Sequence, residues 1–162
     1  MTEKNNFGEK KEQAAGVIRL AAPADAEAIW RIRNNPSMRP NFHHQEEIKL
    51  EQHEKWFQDK YFKQQENRCF VLDMAGTAAG YCRFDLKEDG YLISIVLAPE
   101  YQNQGWGNKL LNEAMKALKT GMEIKAEVKK SNDKSARFFE KNGFEICGQD
   151  EEVLYYKHKT KK

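Results

Sequence analysis

The chain has 162 residues, 27 Lys and Arg against 25 Asp and Glu, a formal net charge of +2 and 40% apolar residues. A chain of this length and composition fits one soluble folded domain and excludes disordered, fibrous and collagen-like classes. No apolar run approaches the ~20 residues that span a bilayer, and the polar start MTEKNNFGEKKEQ has no signal-peptide core, so a cytoplasmic protein with no membrane partner is expected.

Residues 1–15 read as a polar arm and 159–162 as a basic tail, which leaves 16–158 as the single domain. Lys157, Lys159, Lys161 and Lys162 crowd that end, but so short a tail is no argument for nucleic acid. A first strand is expected over 17–20. Pro23 and Asp25 then open a helix carrying Ala26, Ile29, Trp30 and Arg33, which stops at Asn34-Asn35-Pro36. The spacing of Ile48, Trp56, Phe57, Tyr61 and Phe62 predicts a second amphipathic helix over 46–62, with its aromatic residues, like Trp30, in the core.

Strands are expected over 69–74 and 79–86, joined through Ala75-Gly76-Thr77. After Glu88-Asp89-Gly90, the apolar run 91–97 reads as a central strand buried on both faces, ended by Pro99. A glycine-containing loop leads into a helix with Leu110, Leu111, Ala114, Met115 and Leu118 on one side and Gly121 as its C-terminal cap. A strand over 122–128, a helix over 133–141 leaving through Asn142-Gly143, and strands over 144–148 and 153–158 complete a mixed α/β pattern without repeats. Cys69, Cys82 and Cys147 are odd in number and widely spaced, which predicts buried reduced thiols and no metal site.

The strongest chemical signal is Gln102-Asn103-Gln104-Gly105-Trp106-Gly107, between the expected central strand and a helix. Glycines let backbone approach a bulky anion, and the free N–H groups and positive dipole end of a helix start hold a pyrophosphate; a plain glycine turn is the alternative. No Gly-Lys-Ser or Gly-Lys-Thr ending is present, nor a three-glycine dinucleotide pattern with a downstream acidic ribose contact.

The run Ile95-Val96-Leu97-Ala98-Pro99-Glu100-Tyr101-Gln102 through Gly107 resembles the signature Gln/Arg-x-x-Gly-x-Gly/Ala that follows the fourth strand of the GNAT N-acetyltransferases. Glu127-Val128-Lys129-Lys130-Ser131-Asn132, then Ser135, Phe138, Phe139 and Asn142-Gly143-Phe144, resemble that superfamily's fifth strand and next helix. The resemblance covers roughly 16–158 and implies a GNAT fold: a twisted, mostly antiparallel sheet of six to seven strands flanked by about four helices. It implies acetyl-CoA as co-substrate, a small-molecule amine as acceptor, and a monomer or homodimer.

By the same resemblance, backbone groups of Ile95, Val96 and Leu97 pair with the pantetheine arm and polarise the thioester. Gln102, Asn103, Gln104, Gly105, Trp106, Gly107 and Asn108 hold the pyrophosphate, and Asn132 and Phe139 lie along the cofactor's arm. Many family members carry a proton-donating tyrosine where this chain has Phe139; water or Tyr101 would have to replace it. The amine must lose a proton before attack, and Glu127 is the first candidate base, with His43, His44 and His53 as rivals; a solvated glutamate and packed or exposed histidines are the competing readings. Adjacent His43 and His44 lack the further ligands that a zinc site needs.

Within the superfamily, Arg33-Asn34-Asn35-Pro36 with Arg39, Glu51-Gln52-His53-Glu54-Lys55-Trp56-Phe57, and Gly80-Tyr81-Cys82-Arg83-Phe84-Asp85 resemble acetyltransferases that act on nucleotide-linked amino sugars of pseudaminic-acid-type pathways. That resemblance implies Arg33, Asn34, Arg39, His53 and Arg83 as contacts to diphosphate and sugar hydroxyls. A protein N-terminus, an amino acid or another small amine as acceptor, and a non-catalytic acetyl-CoA sensor, are the alternatives.

Overall fold

Two strands whose residues are buried on both sides, β2 (Arg68–Met74) and β3 (Thr77–Lys87), require helices on both faces of the sheet, and the architecture follows from that demand. The computed structural model describes residues 15–118 and 120–158. The polar arm to residue 14 and the basic tail 159–162 lie outside the described residues.

The remaining elements are β1 (Gly16–Leu20), α1 (Ala26–Asn34), α2 (Leu50–Gln58), β4 (Gly90–Leu97), α3 (Trp106–Leu118), β5 (Ile124–Lys129), α4 (Asp133–Lys141), β6 (Phe144–Gln149) and β7 (Val153–His158). They form one seven-stranded sheet in the order β1-β2-β3-β4-β5-β7-β6. All neighbours are antiparallel except β4 and β5, which pair in parallel. This is the expected GNAT-like α/β architecture.

One face buries Phe70, Leu72, Phe84, Leu110, Leu111, Phe144 and Tyr156 under α3 and α4. The other buries Ile29, Ile32, Phe57, Val71 and Tyr81 under α1 and α2. Among the described residues no helix is long and apolar enough to cross a membrane.

The β2–β3 hairpin closes through Ala75 and Gly76, both at positive φ (55° and 90°), the geometry that matches right-handed strand twist. The Asp73 carboxylate accepts the Gly76 N–H at 2.7 Å, fixing that turn. Helix α4 runs as the sequence predicts and leaves through Gly143 at φ 87°.

Several expectations are corrected. Helix α2 starts at Leu50 rather than near 46, because Asn34 captures both backbone groups of Ile48: its Nδ2 donates to the Ile48 carbonyl at 2.7 Å and its Oδ1 accepts the Ile48 N–H at 3.0 Å. Past Gln58 the chain widens into a π-turn over Asp59–Lys63. Gly121 is not left-handed and α3 ends at Leu118, so β5 begins at Ile124 and Met122 is exposed.

The expectation that β4 is buried on both faces is corrected: the strand is only half-buried, with Gly90 and Ile93 its buried residues. Cys69 and Cys82 are buried thiols, and burial pushes the Cys69 thiol up to about 12. Cys147 is exposed at a register shift between β6 and β7. Trp56, expected in the core, is 38% exposed, and the cations of Arg83 (5.4 Å) and Lys60 (5.6 Å) lie over its ring.

His53 is 3% exposed between Trp56 and Phe57, and burial lowers its pKa against an opposing hydrogen bond with the Ala26 backbone. The unfolded chain therefore takes this proton at higher pH than the folded one. Stability should be flat above the ordinary imidazole range and decline as pH falls below about 6.5. His158, lowered by burial in the same direction, adds to the slope. Urea midpoints measured from neutrality down to acid should show this decline, and His53→Gln should flatten it.

Candidate active site

Strands β4 and β5 pair through Tyr91↔Ile124, Leu92↔Lys125 and Ile93↔Ala126, and then part. Strand β3 keeps its register with β4 as far as Gly80↔Leu97. From Ser94 onward β4 therefore has one bonded edge and one open edge, and Ile95, Val96 and Leu97 all lie on this half-buried stretch. Ile95 and Leu97 pack toward the α3 side and Val96 toward the α1 side. The Leu97 carbonyl already accepts Gln102 Nε2 at 3.0 Å.

After β4 the chain makes a tight turn at Pro99–Tyr101 and enters a loop with Asn103 at φ 61° and Gly105 at φ 85°. Among the described residues, no protein acceptor lies against the amide N–H groups of residues 103–108. A row of unclaimed amides at a helix start is an anion cradle, and a Cβ on Gly105 would meet nothing within 4 Å, so the loop is open to a ligand.

The motif's other residues have separate tasks. A Cβ on Gly107 would meet the Phe138 ring at 3.2 Å, so this glycine lets α3 approach α4. Trp106 packs over Gly16, whose added Cβ would lie 2.6 Å from the indole, and so ties the loop to β1. The two glycines differ in what they provide: Gly105 supplies the left-handed backbone conformation, and Gly107 the close approach of α3 to α4. The Gln104 side chain turns back to the Glu100 carbonyl at 2.8 Å, and Gln102 Oε1 accepts Lys134 Nζ at 2.9 Å.

On the α4 flank, Asn132 caps the helix by accepting the Ser135 N–H at 3.2 Å. Asn142 donates to Asn108 Oδ1 at 2.9 Å, joining the end of α4 to the start of α3. Phe139 is 4% exposed and packs at 5.0 Å from Phe144 and 6.3 Å from Tyr156, which leaves only a sliver of ring for a ligand. Tyr101 is the nearby phenol and packs against both cores.

The opposite flank is built by α1, α2 and the connection between them. Arg33 Nη2 donates to the His44 carbonyl while its guanidinium stacks on Phe42 at 4.0 Å. Its Nη1 is buried without a partner, as is His53 Nε2. Burial lowers the Arg33 pKa, and Arg83 and Arg39 push in the same direction against Tyr81. Arg83 is ion-paired to Asp85, which also holds Lys60 at 3.2 Å, and Arg83 donates to Tyr61 Oη at 3.2 Å.

Three expected acceptor contacts are engaged within the fold: both ends of Asn34 serve Ile48, His53 is sealed on the buried face of α2, and the Arg83 charge is answered by Asp85. Arg39 makes no side-chain hydrogen bond or ion pair among the described residues, and is the free guanidinium on this flank.

Glu127 stands at the parting point, one residue beyond the last β4–β5 pair, and is exposed while its neighbours Ala126 and Val128 are buried under α3 and α4. Its oxygen lies 3.3 Å from His43 Nε2, and Lys129 Nζ donates to the Pro40 carbonyl at 3.0 Å, so the α1–α2 connection reaches β5 at two points. Nothing in linear spacing announces the His43–Glu127 pair. His44 contributes its backbone to Arg33. An open cleft of about 550 Å³ between α1 and α2, lined by Glu27, Glu51, Glu54 and Phe57, shares no residue with the parted strands. No group of three or more His, Cys, Asp or Glu among the described residues is placed to hold a metal.

The family model of the acetyltransferase (GNAT) family matches residues 10–144. An N-alpha-acetyltransferase of Sulfurisphaera tokodaii is 27% identical over 154 residues, spanning 85% of each chain. Among solved structures, a ribosomal-protein-alanine N-acetyltransferase from Brucella melitensis superposes with a TM-score of 0.74 at 20% identity, covering 87% of this chain and 98% of that one. A Salmonella typhimurium protein solved with its cofactor acetyl-CoA gives 0.70 at 20% identity, covering 88% and 92%. At these identities the structural likeness speaks for the fold.

The two glycines should separate in mutagenesis. Gly105→Val forces a β-branched residue into left-handed backbone, a strain of about 1–3 kcal/mol that a changed loop relieves, so acetyl-CoA affinity by calorimetry should fall at least about tenfold in a folded protein. Gly107→Val should instead lower the denaturation midpoint, since the added atoms meet Phe138.

Proposed function

The chain belongs to the acetyltransferase (GNAT) family, and from that premise we propose that it transfers the acetyl group of acetyl-CoA to the primary amine of a nucleotide-linked amino sugar, where β4 and β5 part. The pyrophosphate is held by the amides of residues 103–108 and the dipole of α3, with Lys134 as a nearby cation. The pantetheine arm follows the open edge along Ile95, Val96 and Leu97, where the Ile95 backbone and the Leu97 N–H face away from β3 and stabilise charge on the thioester oxygen.

The acceptor enters from the α1–α2 flank, and its ammonium proton leaves on the Glu127 side. The neutral nitrogen then forms the C–N bond as the C–S bond breaks. Phe139 has no proton for the departing thiolate, which takes one through water or Tyr101.

The acceptor class rests on one observation: Arg33 and Arg39, the second near enough that its charge helps lower the Arg33 pKa, have no carboxylate partner. Uncompensated guanidiniums suit a diphosphate, which they meet bidentately. The relative named N-alpha-acetyltransferase favours a second reading, a peptide α-amine as acceptor.

A thiol-release screen decides between them. With a UDP-linked aminodideoxyhexose as acceptor, Arg39→Gln should raise the acceptor KM by about tenfold or more, the 1.5–3 kcal/mol of a charged hydrogen bond, and leave acetyl-CoA affinity unchanged. Turnover of alanine-initiated peptides with none of sugar nucleotides would overturn the sugar assignment. No turnover of any amine by a protein that binds acetyl-CoA would identify a sensor.

A further inference from the structure

By residue type Glu127 and His43 are competitors for one task, yet the fold makes them a pair. His43 comes from the α1–α2 connection and Glu127 from the first position of β5 past the parting, and Nε2 and Oε2 lie 3.3 Å apart. Both remain open to a ligand, with side chains 56% and 37% exposed. The connection is not free to carry His43 away: Lys129 Nζ holds the Pro40 carbonyl at 3.0 Å on one side, and Arg33 holds the His44 carbonyl on the other.

We propose that His43 takes the proton from the acceptor ammonium, with Glu127 as its positioning residue. The proposal rests on the acetyl-transfer reading above. A carboxylate at Nε2 keeps the hydrogen on that nitrogen, which leaves the lone pair on Nδ1 to act as base. The imidazole accepts one ammonium proton, and the neutral amine attacks the thioester carbonyl. As C–S breaks, the second nitrogen proton reaches the thiolate through solvent, and His43 returns its proton to bulk water. A carboxylate alone is a weak base toward an ammonium; an imidazole is matched to work near neutrality.

Charged and titratable groups on the surrounding elements include Lys125 and Lys129 of β5, Tyr155 of β7 opposite Glu127, Arg83 of β3, Arg33 of α1, His53 of α2, and Arg39, His44, Glu46, Glu47 and Lys49 of the connection. His53 is sealed in, so His44 is the other exposed imidazole of the α1–α2 connection and His44→Ala the control.

Two measurements test the proposal. In thiol release with whichever of the sugar nucleotide or the alanine-initiated peptide is turned over, His43→Gln should lower kcat/KM about a hundredfold near neutral pH, a deficit that shrinks as alkali frees the amine. Glu127→Gln should cost about tenfold, and the double variant no more than His43→Gln alone, because the two act as a unit. His44→Ala should keep the wild-type pH profile.

In the ligand-free protein, heteronuclear NMR of the imidazole nitrogens should show His43 protonated on Nε2, and a mixture of tautomers in Glu127→Gln. A hundredfold loss in Glu127→Gln with His43→Gln within about threefold of wild type would overturn the assignment and make the carboxylate the base. An unchanged His43 spectrum in Glu127→Gln sinks the pair whatever the acceptor. If no amine is turned over, the acetyl-transfer reading fails, and the spectrum alone still decides whether the pair exists.

Discussion

The rest of the structure depends on a three-residue parallel seam. Strands β4 and β5 bond through Ile93↔Ala126 and no further, so an interior strand becomes an edge halfway along its length. Backbone polar groups cannot be buried unpaired, and an open half-strand must therefore face water or a ligand that replaces the lost partner. Helix α3 and its loop flank the opening on one side, α4 follows β5 on the other, and the α1–α2 connection reaches across to Glu127 and Lys129. Every residue of β4 beyond Ile93, where the opening begins, is half-buried despite the apolar sequence.

The acceptor flank shows how much of a polar surface a fold consumes before any ligand arrives. Asn34 organises Ile48, Arg83 answers Asp85 and Tyr61, and Arg33 gives one nitrogen to His44. Among the described residues, Arg39 and one buried Arg33 nitrogen are left without a partner, and His43 pairs with Glu127. The compared structures, at about one-fifth identity, share the scaffold under names that include ribosomal-protein and spermidine acetyltransferases. Selectivity on a common scaffold is carried by its connections, and the proposed acceptor contacts fall largely in the segment between α1 and α2.

The glycine loop before α3 was legible in the sequence because its demands are local. A strand, a glycine at positive φ and a helix start follow one another within a few residues, and Gly105 can be inferred from chain chemistry alone. Helix α4 and β7 were legible for the same reason. What resisted reading depends on partners far along the chain. Asn34 shortens α2 by holding Ile48, Arg83 and Lys60 occupy the face of Trp56, Phe138 explains Gly107, and His43 meets Glu127 only once the sheet exists. Hydrophobic period identifies an apolar face but not the element that covers it, which is why β4 was expected to be buried on both sides.

The unclaimed amides of residues 103–108 also bear on the energetics of the whole chain. Only the folded protein assembles them into a cradle, so a bound anion is a ligand of the native state and not of the unfolded one. Mass action then makes the ligand a contributor to folding: at a hundredfold excess over its dissociation constant it adds about 2.7 kcal/mol, a sizeable part of the 5–15 kcal/mol typical of a domain. The resistance of this chain to unfolding is consequently not a constant of its sequence. It rises and falls with the concentration of free ligand, and the population of open, protease-sensitive molecules moves inversely with it.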